Sequence, residues 1–424
     1  MDYSLILLFI AVAFCFFMTW GVGANDLANV MSTTMGSKAI TVRQAMLIAI
    51  IFEFAGAFLG GSGVTETMRD GIIDSSQLSN QPLVLMEGML SVLAACTIWM
   101  NLASYMGVPV SITNALVGSM VGFGSVVLGT NAIHWNQVSH IAIGWVTSPF
   151  IAGITSYALF VSIQQTIFIK SNPLEKAKLY IPIYLFLVGT VLSFITVFKG
   201  LKHFNIHLNL KQDLAVTLAT SIFITITGMT FIKRIPEMPK IRRRERFIQV
   251  EKYFAVLMAL TACAMVFAHG SNDVALAVGP LTIMHSLVIH ANQPIGADNY
   301  PSWIILLGCV GVITGFLMYG RKVIETVGSS ITALTPSRAF AATLAAATTV
   351  VVATSTGIPV SATQTLVGAV LGVGLARGIG ALNLIVIRNI FMSWVLTLPA
   401  ASVLTILAYK IIHLCTSYLI TTPG

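Results

Sequence analysis

The sequence predicts an all-α polytopic membrane protein of about 10 to 12 transmembrane helices, in two inverted repeats with broken or re-entrant helices. Three observations carry this. Only 9% of the 424 residues are charged and 56% are hydrophobic, with a mean hydropathy of +0.88. A soluble core cannot hide that much apolar surface, so lipid must solvate most of it. The apolar residues fall into segments of near-membrane length, and landmarks of the first half return in order in the second.

The apolar segments lie near residues 4–34, 43–62, 83–104, 107–129, 139–168, 179–198, 212–233, 253–290, 302–320, 336–354, 358–376 and 384–413. Each is read as a helix, because in hydrocarbon every backbone N–H and C=O must be bonded within its own segment. The first and eighth contain an Asn-Asp pair next to glycine. Those near 107 and 358 open on Gly-x-Pro-Val-Ser.

These irregular features recur at a fixed distance. Gly23-Ala24-Asn25-Asp26-Leu27-Ala28 returns as Gly270-Ser271-Asn272-Asp273-Val274-Ala275, 247 residues on. Pro109-Val110-Ser111-Ile112-Thr113-Asn114 returns as Pro359-Val360-Ser361-Ala362-Thr363-Gln364, 250 residues on. Leu116-Val117-Gly118 matches Leu366-Val367-Gly368, and Trp145 and Pro149 match Trp394 and Pro399. Ordered landmarks at nearly constant spacing are an internal duplication. Seven segments separate the copies, and an odd number of crossings turns the second copy upside down. The organisation expected is a first repeat over 1–170, linking helices and a basic loop over 171–252, and a second repeat over 253–424.

The composition excludes secreted, disordered, nucleic-acid-binding and disulfide-scaffold classes. Cys15, Cys96, Cys263, Cys309 and Cys415 sit in apolar runs without CxxC spacing and read as small core residues. The formal net charge is +8, yet eight of the 23 Lys and Arg fall between Lys233 and Lys252. A short basic loop of this kind holds the cytoplasmic side of a membrane protein and can attract anionic headgroups. The expected location is therefore the cell membrane, the inner one in a Gram-negative cell, with 233–252 cytoplasmic. Asp2 and the absence of an early basic residue disfavour a cleaved signal peptide.

A carboxylate at the centre of a membrane helix costs about 2.5–3.5 kcal/mol on insertion scales, so Asp26 and Asp273 must face partners or a cavity. Capping of a helix end is the plain alternative for either one; duplication behind Asn25 and Asn272 argues for a site. Gly-Ala-Asn-Asp and Gly-Ser-Asn-Asp suit a helix break with positive φ, where freed carbonyls, Asn oxygens and a carboxylate would bind sodium or a proton. The Pro-Val-Ser-x-Thr runs supply the opposite polarity. Proline suits the first helical position, and Ser111, Thr113, Ser361 and Thr363 place hydroxyls beside free N–H groups, a setting for oxyanions. The plain alternative is a pair of packing helices with hydroxyls bonded to their own turn. Glu53 has no twin and reads either as a third acid of the site or as an interhelical hydrogen bond near Gly56 and Gly60. His269 reads as a hydrogen-bond donor at the helix break.

The run Gly23–Asn29, then Gly36-Ser37 and Thr41-Val42-Arg43-Gln44-Ala45, resembles the signature of the PiT inorganic phosphate transporters. Phe52-Glu53, Thr65-Glu66-Thr67-Met68-Arg69, Gly71-Ile72-Ile73-Asp74 and Ile324-Glu325-Thr326-Val327-Gly328 extend the resemblance over nearly the whole chain. It implies a secondary active symporter, not an enzyme, that imports inorganic phosphate with sodium or protons as coupling ion and no cofactor. It also implies a homodimer with extracellular termini and re-entrant helices. By resemblance, cation roles fall to Asn25, Asp26, Asn272 and Asp273, with sodium at Asp26 and Asp273, and Glu53 matches a transport-critical acid. Substrate roles fall to Ser111, Thr113, Asn114, Ser361, Thr363 and Gln364, with Asn25 and Asn272 beside them.

The sequence departs from the family run at Ile112 and Ala362, and at Asn114 and Gln364, where amides replace histidine. Thr343 stands where some animal members carry a second buried Glu. Proton-coupled metal-phosphate carriers and sulfate permeases share the fold and are the nearest alternative; a passive anion channel shares the helix-terminus logic. A membrane enzyme would need a cluster of His with carboxylates inside the spans, and the eight histidines show none by spacing.

Overall fold

The computed structural model describes residues 3–60, 72–73, 78, 81–195, 209–236, 243–289 and 301–421. The family-like positions Thr65–Arg69, Gly71 and Asp74, the pair His203 and His207, and positions 237–242 of the basic stretch lie outside the described residues.

The described residues are predominantly helical: α1 (Tyr3–Val22), α2 (Ala28–Gly36), α3 (Val42–Gly60), α4 (Pro82–Met106), α5 (Ile112–Val127), α6 (Trp135–Ile163), α7 (Pro173–Ile195), α8 (Leu210–Lys233), α9 (Arg243–His269), α10 (Ala275–Ile289), α11 (Ser302–Tyr319), α12 (Arg321–Ser330), α13 (Pro336–Ser355), α14 (Ala362–Ala376) and α15 (Leu384–Thr421). Among the described residues the sole strand-like feature is an isolated bridge between Ile73 and Ile133. Within the described residues, ten helical stretches are long and apolar enough to cross a membrane. The remaining apolar helices, α5 and α14, have 16 and 15 residues. At 1.5 Å per residue they reach about 24 and 22 Å, short of a hydrocarbon core of roughly 30 Å. Both short helices begin at the duplicated Pro-Val-Ser.

The distribution of polarity inverts that of a soluble protein. Phe9, Val146, Phe150, Phe223 and Leu414 are exposed, whereas Asn25, Asp26, Asn29, Glu53, Asn272 and Asp273 are buried. Outward apolar faces suit a lipid solvent, and the polar groups turn inward to find one another. Cys415 departs from the expected core role: it is exposed near the end of α15, on an outward face. The basic stretch expected as a loop is helical from Arg243 onward, because its charges form the first turns of α9.

The duplicated landmarks fold alike. Gly107 and Gly357 both take positive φ, +71° and +76°, and reverse the chain after α4 and α13. In each copy the glycine N–H bonds three residues back, and the next N–H five residues back. Ser111 and Ser361 then N-cap α5 and α14. Both prolines therefore sit two residues ahead of the cap, outside the helix, correcting the expectation that they open it. The extended backbone of each cap residue requires this: the helix starts only once Ser111 or Ser361 has turned its hydroxyl inward.

Helices from the two halves of the chain also interleave. α5 packs along α15 of the other half, and α14 along α6. Backbone meets backbone at both seams. A Cβ on Gly118 would stand 2.5 Å from the Leu398 carbonyl, on Gly368 2.3 Å from that of Pro149, and on Gly372 2.0 Å from that of Gly153. Gly372→Ala is expected to lower stability in detergent by about 1–3 kcal/mol through overpacking. Gly380→Ala, which meets nothing within 4 Å, should stay within about 0.5 kcal/mol of the parent in the same melt.

Candidate functional site

The two Asn-Asp pairs lie on π-helical turns, Gly23–Leu27 and Gly270–Val274, that join α1 to α2 and α9 to α10. The expected unwinding with positive φ does not occur. The flanking residues Val22, Ala28, His269 and Ala275 are all right-handed, and the helix widens without opening. Such turns commonly mark functional positions. The glycines serve close approach instead. A Cβ on Gly23 would fall 1.8 Å from the Val312 carbonyl, and one on Gly270 2.3 Å from that of Glu53.

Each asparagine ties its turn to the loop ahead of a short helix. Asn25 Nδ2 donates to the Val108 carbonyl at 2.9 Å, and its Oδ1 accepts from Val110 N–H at 2.9 Å. Asn272 Nδ2 donates to the Val360 carbonyl at 2.8 Å and to Asp273 Oδ1 at 2.6 Å. Thr113 Oγ1 donates to that same Val360 carbonyl at 3.3 Å, so the tip of α5 reaches the loop of the other copy.

Asp26 joins the two tips. Its Oδ2 accepts from Ile112 N–H at the start of α5, 3.3 Å, and its Oδ1 from Thr363 Oγ1 in the first turn of α14, 2.7 Å. Ser111 and Ser361 accept from the N–H groups of Asn114 and Gln364 at 3.3 and 3.2 Å, so both hydroxyl oxygens cap their own helices and leave their protons to donate elsewhere. Asn114 and Gln364 line a cavity of about 750 Å³ shared with Trp145 and Trp394.

The second aspartate belongs to an acid chain. His269 Nδ1 lies 2.6 Å from Glu53 Oε1, and its Nε2 stands 3.2 Å from Asp273 Oδ2, an ion-pair distance without hydrogen-bond alignment. Glu53 thus enters the site through His269. The signal was in the sequence, since His269 and Asp273 are four apart on one helical face; the partnership with Glu53, 216 residues away, was not. Thr343 bonds Thr33 at 2.8 Å, beside α2.

Several buried oxygens around these turns have no hydrogen-bond partner: Asn272 Oδ1, Glu53 Oε2, Ser32 Oγ, and Oδ1 of Asn29, whose Nδ2 is also unpartnered. Asn29, one turn beyond Asn25, was not singled out as a site residue by sequence reasoning. An unmet buried polar atom costs roughly 1–3 kcal/mol, so each unmet oxygen is open to an electropositive partner.

Among the described residues, ten apolar spans surround buried acids and paired helix tips, the arrangement of a membrane transport protein. Residues 22–405 match the family model described as the phosphate transporter family, and the chain belongs to that family. A Haemophilus influenzae protein provisionally named a phosphate permease is 45% identical over 97% of this chain and 98% of its own. The chloroplastic inorganic phosphate transporter 2-1 of Arabidopsis thaliana is 36% identical over 95% of this chain and 71% of its own. The solved structure of a protein named as the sodium-dependent phosphate transporter superposes with a TM-score of 0.86 at 36% identity, covering 96% of this chain and 99% of that one.

Glu53→Ala and His269→Ala should each destabilise the protein by about 3–5 kcal/mol, because each strands a buried partner. The double variant should fall short of the sum by at least about 1 kcal/mol. Chemical unfolding in mixed micelles reads this out; additive losses would mean the two side chains do not interact.

Proposed function

We propose that this chain is a secondary active symporter that brings inorganic phosphate across the cell membrane together with sodium. The observation that carries the reading is Asp26, a buried carboxylate bonded at once to the tips of α5 and α14. Helix N-termini attract oxyanions, yet here they are held on the protein's own negative charge. A phosphate about 4 Å from a bare carboxylate is repelled by about 4 kcal/mol at an effective dielectric of 20. That is close to a thousandfold in affinity. A cation on Asp26 cancels the repulsion and competes for the carboxylate oxygens, freeing the Ile112 amide and the Thr363 hydroxyl for the anion. Cation binding therefore precedes or accompanies phosphate, which is the condition for coupling.

The unmet oxygens of Asn29, Ser32, Asn272 and Glu53 support a sodium ligand set beside Asp26 and Asp273, since hard cations take oxygen donors. Asn114, Gln364 and the hydroxyls of Ser111, Thr113, Ser361 and Thr363 are the proposed phosphate contacts. Sodium is further supported by the name of the solved relative, which is sodium-dependent. A second reading, in which the second coupling ion is a proton, is favoured by the Glu53–His269–Asp273 chain.

The arrangement proposed is of two inverted repeats. Their short helices meet tip to tip around Asp26, as a two-fold axis in the membrane plane would require. The homodimer and the cytoplasmic placement of 233–252 belong to the same proposal, supported by the family and by the basic charge of that stretch.

Energetics set the stoichiometry. Dihydrogen phosphate entering a cytoplasm at −100 mV is opposed by about 2.3 kcal/mol; one cation cancels this and two make entry favourable by about as much. Two aspartates argue for two cations. Proteoliposomes with sodium and pH gradients imposed separately should accumulate labelled phosphate on sodium, with about one net positive charge entering per phosphate. Asp26→Asn and Asp273→Asn should each abolish accumulation while the protein remains folded in the membrane. Accumulation by proton gradient alone would transfer the coupling to protons. Uptake that only equilibrates would mean a channel, and sulfate outcompeting phosphate would mean a sulfate permease.

A further inference from the structure

The family-like run Ile324–Gly328 stands outside the carboxylate cluster. It forms most of the second half of α12, a ten-residue helix with one wet face and one buried face. Arg321 and Glu325 pair on the exposed face, while Val323 and Val327 are fully buried. Three contacts tie the helix to its neighbours. Thr326 Oγ1 donates to the Gly107 carbonyl at 2.8 Å, closer than the 3.1 Å to the Lys322 carbonyl of its own helix. Lys322 Nζ donates to the Tyr105 carbonyl at 3.0 Å and lies 4.7 Å from the centre of the Tyr105 ring. Gly328 rests on α2 with no side chain between: a Cβ there would stand 2.4 Å from the Ser32 carbonyl.

The loop that α12 holds from outside is the one Asn25 holds from inside, through Val108 and Val110. α2, on which α12 sits, continues the turn that carries Asn25 and Asp26. Turn, α2, α12 and the Gly107–Val110 loop thus close into a ring, and the start of α5 leaves from that ring toward Asp26. The short-range backbone bonds that follow α4 end at Val108, so beyond it the loop is placed by these outside contacts and by Asn25.

We infer that α12 is a strap that fixes the α5 tip against the Asn25–Asp26 turn, with Thr326 as a positioning residue for phosphate and cation binding. Thr326 touches neither ion; it acts through the Gly107 carbonyl. The inference rests on the proposed transport function for its kinetic effect alone, because the position of the loop can be read without transport.

The test uses the full chain in nanodiscs, with Thr326→Val and Thr326→Ser. Hydrogen exchange should speed up about tenfold at the amides of residues 107–113 other than Pro109 in Thr326→Val, the scale of one hydrogen bond, and return toward the parent rate in Thr326→Ser. Amides of α15 should not change. In proteoliposomes the phosphate KM of Thr326→Val should rise about five- to tenfold, with the maximal rate within about twofold. Unchanged exchange at 107–113, acceleration spread over the whole chain, or failure of serine to restore the parent rate would each overturn the strap. If the parent protein carries no phosphate, the exchange result still decides the strap, and the failure falls on the proposed function alone.

Discussion

A carboxylate buried where two helix N-termini converge dictates much of the surrounding geometry. Asp26 cannot be solvated at its depth, so it draws the amide of Ile112 and the hydroxyl of Thr363 to itself. Those two donors come from helices that begin some 250 residues apart. To deliver them, α5 and α14 must start inside the bundle. That in turn requires the left-handed glycines and the extended serine caps ahead of each. The requirements of one charge thus propagate into two loops, two caps and two interhelical seams.

The seams explain how the arrangement holds without a polar scaffold. In lipid, helix association draws on close van der Waals packing, and small residues let backbones approach. Glycines at 118, 368 and 372 place α5 on α15 and α14 on α6 with carbonyls filling the space of the missing Cβ. Each half of the chain therefore braces the short helix of the other. The second Asn-Asp turn also differs from the first in the charge beside it. Asp273 shares His269 with Glu53, whereas Val22, at the position matching His269, offers no such bridge. The two Asn-Asp turns are alike in backbone and unlike in charge, which suits two cation sites of unequal character in the proposed cycle.

Much of this was legible in the residues, for identifiable reasons. Composition and segment length specified a helical membrane protein, because backbone satisfaction in hydrocarbon leaves few choices. The duplication exposed the two Asn-Asp pairs and the two helix starts. What sequence could not supply was the form of the turns. Glycine next to Asn-Asp suggested an unwound, positive-φ break, but Gly23 and Gly270 are there for close contact with Val312 and Glu53, contacts that exist only in the folded bundle. Pro109 and Pro359 resembled first helical residues, yet the serine two places on takes the cap. Asn29 was invisible as a site residue because its significance lies in lacking a partner, a property of packing.

In the proposed cycle, cation and anion are linked thermodynamically through Asp26. Phosphate binding to the purified protein in nanodiscs, titrated by calorimetry with and without saturating sodium, measures that link directly. Sodium is expected to tighten phosphate binding by at least about tenfold in the parent, within the usual range of coupling energies, and to have no effect on it in Asp26→Asn. Equal phosphate affinity with and without sodium in the parent, or an undiminished sodium effect in Asp26→Asn, would contradict it.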